Sequence, residues 1–299
     1  MIKLPFGVDI NNLIDDLRNF SREASEILIS FSENLKNNTD YKKGVIEKTN
    51  MNSPVTEADL RVSDLIITRI KEKYPLIDWE LLSEENYKIN QNCFKNKQWL
   101  WVLDPLDGTK DFIQGTGDYA MHLALNYMNK PYLGIVLIPS KNQLWISDGN
   151  KVWCERNGKP NLNSNLSKIK NLDEMALVSS RNHNNKNLKI LLEKIKFKKK
   201  VVMGSIGCKI ASIIKGESDI YLSYSPLGGN GPKDWDFAAP EAILRAAGGL
   251  ITNIDNEDLT YGINKLTHNG LIIASSDKEN HGEICKKIKN IIKENNLNI

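Results

Sequence analysis

Two aspartates three residues apart, Asp104 and Asp107, stand in the stretch "WLWVLDPLDGTKDF" directly behind an aromatic and apolar run. Pro105 biases Asp104 toward extended backbone, so the run keeps its strand direction up to the first acid. Gly108 then permits an unusual backbone or a close approach to a ligand. Two carboxylates held about 5 Å apart at an effective dielectric near 20 repel by roughly 3 kcal/mol, a penalty that a divalent cation removes. Oxygen ligands with no His or Cys nearby favour Mg2+, or Mn2+, over zinc or copper. The same spacing also serves a turn whose aspartates only cap backbone NH groups, and Asp-x-x-Asp alone does not choose between the two.

Further acids stand in suggestive places. "KDWDFAAPEA" puts Asp236 at the start of an otherwise apolar helix, "LLSEEN" puts Glu84 and Glu85 after two leucines, and "NSPVTEAD" ends on Asp59. Taken singly they read as an N-cap, a solvated loop and a helix surface.

These residues need elements to position them. Apolar residues at helical spacing over 9–37 (Ile10, Leu13, Ile14, Leu17, Phe20, Ala24, Ile27, Leu28) predict a first helix. "TEADLRVSDLIITRIKEK" predicts a second, with Thr56 as its cap and Pro75 just past its end. The period then changes: "WLWVL", "YAMHLALNYM", "PYLGIVLIP", "NQLWISD" and "KVWCE" read as strands joined by short polar turns, and so as antiparallel neighbours. The polar stretch 157–173 is the expected junction, after which strands and helices alternate. The expectation is an α/β protein in two parts, with a helix pair and antiparallel sheet over 1–158 and an α/β half over 159–299.

Composition narrows the function classes. With 299 residues, 26% charged and a formal net charge of +3, the chain is an ordinary globular protein without the concentrated basic face of a nucleic-acid binder. The run Lys198-Lys199-Lys200 reads as a solvated loop or helix end. Four scattered cysteines form no Cys-x-x-Cys pair, which points to a reducing compartment. No apolar stretch of about 18 residues offers a membrane span, and the first residues lack a secretory core. A cytoplasmic location is therefore expected.

In combination the motifs carry a resemblance. "SPVTEAD", "LLSEE", "WVLDPLDGTKDF" and "WDFAAPEAILRAAGG", in this order, resemble the inositol monophosphatase superfamily of Mg2+-dependent, often lithium-sensitive phosphatases. The resemblance covers nearly the whole chain after residue 10 and implies a layered α-β-α-β-α sandwich of the inositol monophosphatase and fructose-1,6-bisphosphatase type, with the site between the halves. It implies Glu84, Asp104, the backbone carbonyl of Leu106, Asp107 and Asp236 as ligands for two or three Mg2+ ions, with Asp104 bridging two of them. Thr109 would orient the attacking water, with Asp59 accepting from its hydroxyl, and NH groups around Gly108 and Thr109 would hold phosphate oxygens.

"SPVT", "LLSEE", Lys110-Asp111-Phe112 and "SSRNH" most resemble the 3'(2'),5'-bisphosphate nucleotidase branch, whose members convert adenosine 3',5'-bisphosphate to AMP and phosphate and are linked to sulfur assimilation. By that resemblance Ser180, His183, Ser205 and Lys209 contact the nucleotide, Lys209 as a compact charge for the second phosphate. Two departures touch those contacts: an arginine common after the strand matching "DIYLS" is absent, and the glycine-rich loop 227–231 is longer than in compact members. Lys233 would substitute electrostatically for the arginine. The expected partner is a small phosphate ester, not a nucleic acid polymer or a membrane, and the expected assembly is a monomer or homodimer. The rivals are an inositol or sugar phosphate phosphatase of the same superfamily and a non-catalytic phosphometabolite-binding protein.

Overall fold

The computed structural model describes residues 2–48, 56–87, 98–162, 164–182, 185–263 and 266–299. The chain starts with α1 (Ile10–Asn37), capped by the Asp9 carboxylate on the NH groups of Asn11 and Asn12. Its buried stripe includes Leu13, Leu17, Phe20, Ala24 and Leu28. A short helix that the sequence reading did not foresee, α2 (Thr39–Lys48), comes next. The following helix, α3 (Glu57–Lys73), opens on a capping box between Thr56 and Asp59.

Seven strands then build the first sheet: β1 (Glu80–Ser83), β2 (Trp99–Asp107), β3 (Ala120–Tyr127), β4 (Lys130–Ile138), β5 (Gln143–Ser147), β6 (Val152–Arg156) and β7 (Lys159–Leu162), with α4 (Thr109–Gln114) between β2 and β3. They lie in sequence order. All neighbours are antiparallel except β1, which pairs parallel to β2. The turn between β3 and β4 runs through Met128 and Asn129 at φ +48° and +62°, the paired left-handed geometry that matches strand twist in tight hairpins. The expected junction at 157–173 opens as the edge strand of this sheet, because β7 pairs with β6.

The remainder alternates: β8 (Ala176–Ser180), α5 (Lys186–Ile195), β9 (Lys199–Met203), α6 (Ile206–Ile214), β10 (Ile220–Ser225), α7 (Asp234–Ala247), β11 (Leu250–Asn253), β12 (Gly270–Ser275) and α8 (His281–Glu294). The second sheet has the order β11-β12-β10-β8-β9. Lys199 and Lys200 are exposed on its edge strand β9, where charge discourages pairing with another chain. At the end of α7, Gly248 takes the left-handed stop at φ +103°.

Packing makes five layers. One core joins α1 and α3 to the outer face of the first sheet, through residues such as Leu17, Ile66, Trp101 and Leu123. A second lies between the sheets and takes in α6 and α7, with Val102, Trp145, Ile213, Phe237 and Ile272 among its members. A third packs α5 and α8 on the far face of the second sheet, through Leu191, Ile273 and Ile288. The layered α-β-α-β-α sandwich expected from the resemblance is thus the architecture present. Every residue of α6 is buried, as its nearly continuous apolar sequence requires of a helix with sheets on both sides. The polar residues that α6 and α7 do carry are thereby delivered to the heart of the molecule.

No described helix is long and apolar enough to cross a membrane. Cys154, Cys208 and Cys285 are free and buried.

Candidate active site

In a regular strand, residues three apart point to opposite faces, so Asp104 and Asp107 should diverge. A register shift prevents this. Asp104 pairs with His122 and Asp107 with Ala120, so three steps along β2 match two along β3 and the extra residue brings both carboxylates to the inner face. Asp104 is buried, and one of its oxygens accepts the Leu106 NH at 3.0 Å. Gly108 follows at φ +86°, and a Cβ there would lie 2.9 Å from the Asp118 carbonyl oxygen and 3.1 Å from the Ser205 nitrogen. It therefore serves both uses open to glycine, the backbone turn and the close approach.

Two other elements bring acids to the same point. Asp236 is not the N-cap of α7; Lys233 holds that place, and Asp236 reaches back from the third helical position to accept its NH at 2.6 Å. Oxygens of Asp104, Asp107 and Asp236 all lie within 4.8 Å of one another. Glu84 follows β1, tied to the strand carrying Asp104 by its NH to the Leu103 carbonyl at 3.2 Å.

So many carboxylates gathered in one largely buried place hold their protons tightly. Burial raises the pKa of Asp104 well above the usual range, and the charges of Glu84, Asp107, Asp236 and Asp59 raise it further. Glu84 is raised well above normal in the same way, by burial and then by Asp236, Asp59, Glu85 and Asp107. Burial, followed by Asp107, pushes Asp236 up to about 7. Asp59 also rises to about 7, burial outweighing its bonds from Thr56.

The bonding of Thr109 and Asp59 differs from the expected relay. Thr109 Oγ1 donates to the Leu106 carbonyl at 3.0 Å, while Asp59 accepts from the Thr56 NH at 2.8 Å and hydroxyl at 2.6 Å. The capping box of α3 thus occupies Asp59, although its charge still reaches Glu84 and Asp104. Asp107 uses Oδ2 to cap α6, taking the Ser205 hydroxyl at 2.6 Å and the Ile206 NH. His122, fully buried beside it, accepts the Gly207 NH at 3.1 Å on Nε2, and burial pushes its pKa down.

Glu84, Asp104, Asp107, Thr109 and Asp236 open on a cleft of about 740 Å3 whose walls come from both sheets. Ser180, at the end of β8, lines it together with Ser205 and Lys209 of the β9–α6 region. Lys209 is only 3% exposed, with its ammonium 5.1 Å from the centroid of the Tyr221 ring. Among the described residues no carboxylate lies within ion-pair distance of it. His183 lies outside the described residues. The loop after β10 reaches the rim through Asn230 and Gly231, and the Lys233 ammonium there donates to the Thr267 hydroxyl.

The donor set fits a hard divalent cation: clustered carboxylates, a nearby backbone carbonyl at Leu106, and raised proton affinities that mark excess negative charge. It can neutralise a phosphate only with that cation present, since the acids alone repel it. His122 was missed in sequence because only the β2–β3 register sets it opposite Asp104.

A family model described as the inositol monophosphatase family matches residues 14–293. A 3'(2'),5'-bisphosphate nucleotidase CysQ of Buchnera aphidicola is 29% identical over 88% of this chain and 94% of its own length. Among solved structures, CysQ from Bacteroides thetaiotaomicron aligns with a TM-score of 0.66 at 25% identity, covering 85% of this chain and 93% of its own. An inositol monophosphatase of Thermotoga maritima aligns with a TM-score of 0.72 at 21% identity, over 95% of this chain and 99% of its own, a likeness of fold. With its acids gathered by the β2 bulge, α7 and β1, and with the model spanning nearly its whole length, the chain belongs to the inositol monophosphatase family.

Proposed function

We infer that the protein is a Mg2+-dependent phosphomonoesterase that hydrolyses adenosine 3',5'-bisphosphate to AMP and phosphate. The observation that carries the choice of ester is the placing of Lys209. Among the described residues it is a buried ammonium without a carboxylate partner, one helical turn from the Ser205 that bonds Asp107, on the wall of the cleft that holds the acids. A buried unpaired cation is costly, and a second anionic group on the substrate relieves that cost. The similar bisphosphate nucleotidases support the same reading.

Glu84, Asp104, the Leu106 carbonyl, Asp107 and Asp236 are the residues that would hold two or three Mg2+ ions, with Mn2+ as a substitute. When bound, the ions neutralise the phosphate and the charge that develops on the attacking and leaving oxygens of an in-line displacement. Thr109 has its own proton committed to Leu106, so its lone pairs are free to accept from a water and orient it. Asp59, whose charge reaches Glu84 and Asp104, would stand at the end of that water's proton path, as the resemblance implies. Gly108 and Thr109 offer backbone NH groups to phosphate oxygens. Ser180 and Ser205, which line the cleft, would face the nucleoside, and His183 is the further contact that the resemblance implies. The substrate is a free small molecule met in the cytoplasm by a monomer or homodimer.

Phosphate release from adenosine 3',5'-bisphosphate with Mg2+ and with chelator tests this reading. Chelation should lower the rate by at least about a hundredfold, several kcal/mol of lost charge stabilisation. Binding of the bisphosphate without any Mg2+-dependent release would instead identify a phosphometabolite-binding protein.

A further inference from the structure

Beside the acid cluster stands a second group of charges, of which Asp111 and Arg181 also line the cleft. Asp111, in the first turn of α4, is 3% exposed at its side chain and pairs with Arg181. Arg181 also holds Asp118 at 2.7 Å, and Asp118 takes Lys141 at 3.0 Å. The Thr116 hydroxyl donates to Asp111 at 2.9 Å, as does the Asn182 amide at 2.6 Å. Two acids and two bases sum to zero, and the acids' oxygens are taken by these donors. Both carboxylates are therefore committed within the cluster. Burial works to raise the Asp118 pKa, but the bonds from Arg181 and Lys141 outweigh it and hold the carboxyl below its usual value.

What the cluster does is join three segments. Arg181 and Asn182 extend the end of β8, where Ser180 faces the cleft. Asp111 follows Thr109 by two residues. Asp118 binds the turn into α6 through its carbonyl to the Ser205 NH at 3.1 Å. A Cβ on Gly204 would sit 2.3 Å from the Asp118 carbonyl oxygen and 2.4 Å from Asp111 Cγ, so the segments meet with no side chain between them.

We propose that Arg181 is a positioning residue: its pairing to Asp111 and Asp118 latches arm 180–182 of the second sheet to the α4 segment of the first. The latch sets the distance between the wall facing the organic part of the ester and the residues acting on its phosphate. It rests on the phosphomonoesterase reading above. The ester must span both walls to feel it, whereas a minimal aryl phosphate engages only the phosphate side.

Asp118→Asn tests this, because Asp118 loses its charge without itself lining the cleft. The expected result is a KM for adenosine 3',5'-bisphosphate raised by about ten- to a hundredfold with little change in kcat, the scale of a misplaced substrate contact. The kcat/KM for phenyl phosphate should stay within about twofold. Arg181→Lys, which keeps the charge but loses the forked geometry, should give the same split if Asp118→Asn folds poorly. A parallel loss on both esters, or no change on either, overturns the proposal. If wild type prefers inositol 1-phosphate, the nucleotidase reading fails, and the same split is then read with that ester in place of the bisphosphate.

Discussion

Asp104→Asn should end phosphate release and yet make the metal-free protein harder to melt above about pH 7. The two effects share one cause. Asp104 is buried among Glu84, Asp107, Asp236 and Asp59, which hold its pKa far above normal. In the folded state its ionised form is therefore penalised; the stability linked to this group is fully present below the unfolded pKa and is lost as pH rises through the folded one. Asparagine has the shape of the neutral acid and keeps an oxygen for the Leu106 NH. It removes the repulsion without opening a cavity. A gain of about 1 kcal/mol would raise Tm by roughly 2 °C in a chain this long. The rate should fall by at least about a thousandfold, because the removed charge is one that a cation needs; that is some 4 kcal/mol of transition-state stabilisation. Activity and a melt in chelator at about pH 8 check both halves. A variant with the wild-type rate, or one that melts well below wild type in chelator, contradicts the role given to Asp104.

The second large effect is a pH-dependent response to metal. Asp59 and Asp236 are pushed up to about 7, and Glu84 lies well above its usual range. The folded protein thus binds protons that the unfolded chain has already released, and metal-free stability falls as pH rises from about 4 through about 7. For Asp236 alone the shift corresponds to about 4 kcal/mol as a ceiling. Mg2+ competes with those protons, so binding should release protons and tighten by up to about tenfold per pH unit for each proton displaced. The rise in Tm on adding Mg2+ should accordingly be several degrees larger at about pH 8 than at about pH 6. Calorimetry in two buffers of different ionisation enthalpy reads the released protons directly. An Mg2+ shift equal at both pH values, with no proton release, would contradict the raised acids.

Much of this site was legible from residue types, and much less from spacing. Strands β2 to β6 were readable because apolar runs alternate with short polar turns, a pattern set by a sheet whose neighbours follow one another in sequence. The parallel strand β1 was not, since it has only four residues and the acids that follow it, Glu84 and Glu85, read as a loop. Asp104 and Asp107 stood out as a pair, but their convergence depends on a bulge against β3 that no local rule reveals. Asp59 was singled out for catalysis, whereas its bonds to Thr56 show it holding the start of α3, a use invisible in the motif. The Arg181 latch was hidden for a plainer reason. Its partners lie 70 and 63 residues away, and only the folded sheets bring them together.

The most direct test of the proposed activity is the ratio of kcat/KM for adenosine 3',5'-bisphosphate to that for inositol 1-phosphate, both with saturating Mg2+. The buried Lys209 predicts a ratio of at least about ten in favour of the bisphosphate, the effect of one good charge-assisted contact. A ratio of one or less would contradict it and assign the protein to inositol or sugar phosphates instead.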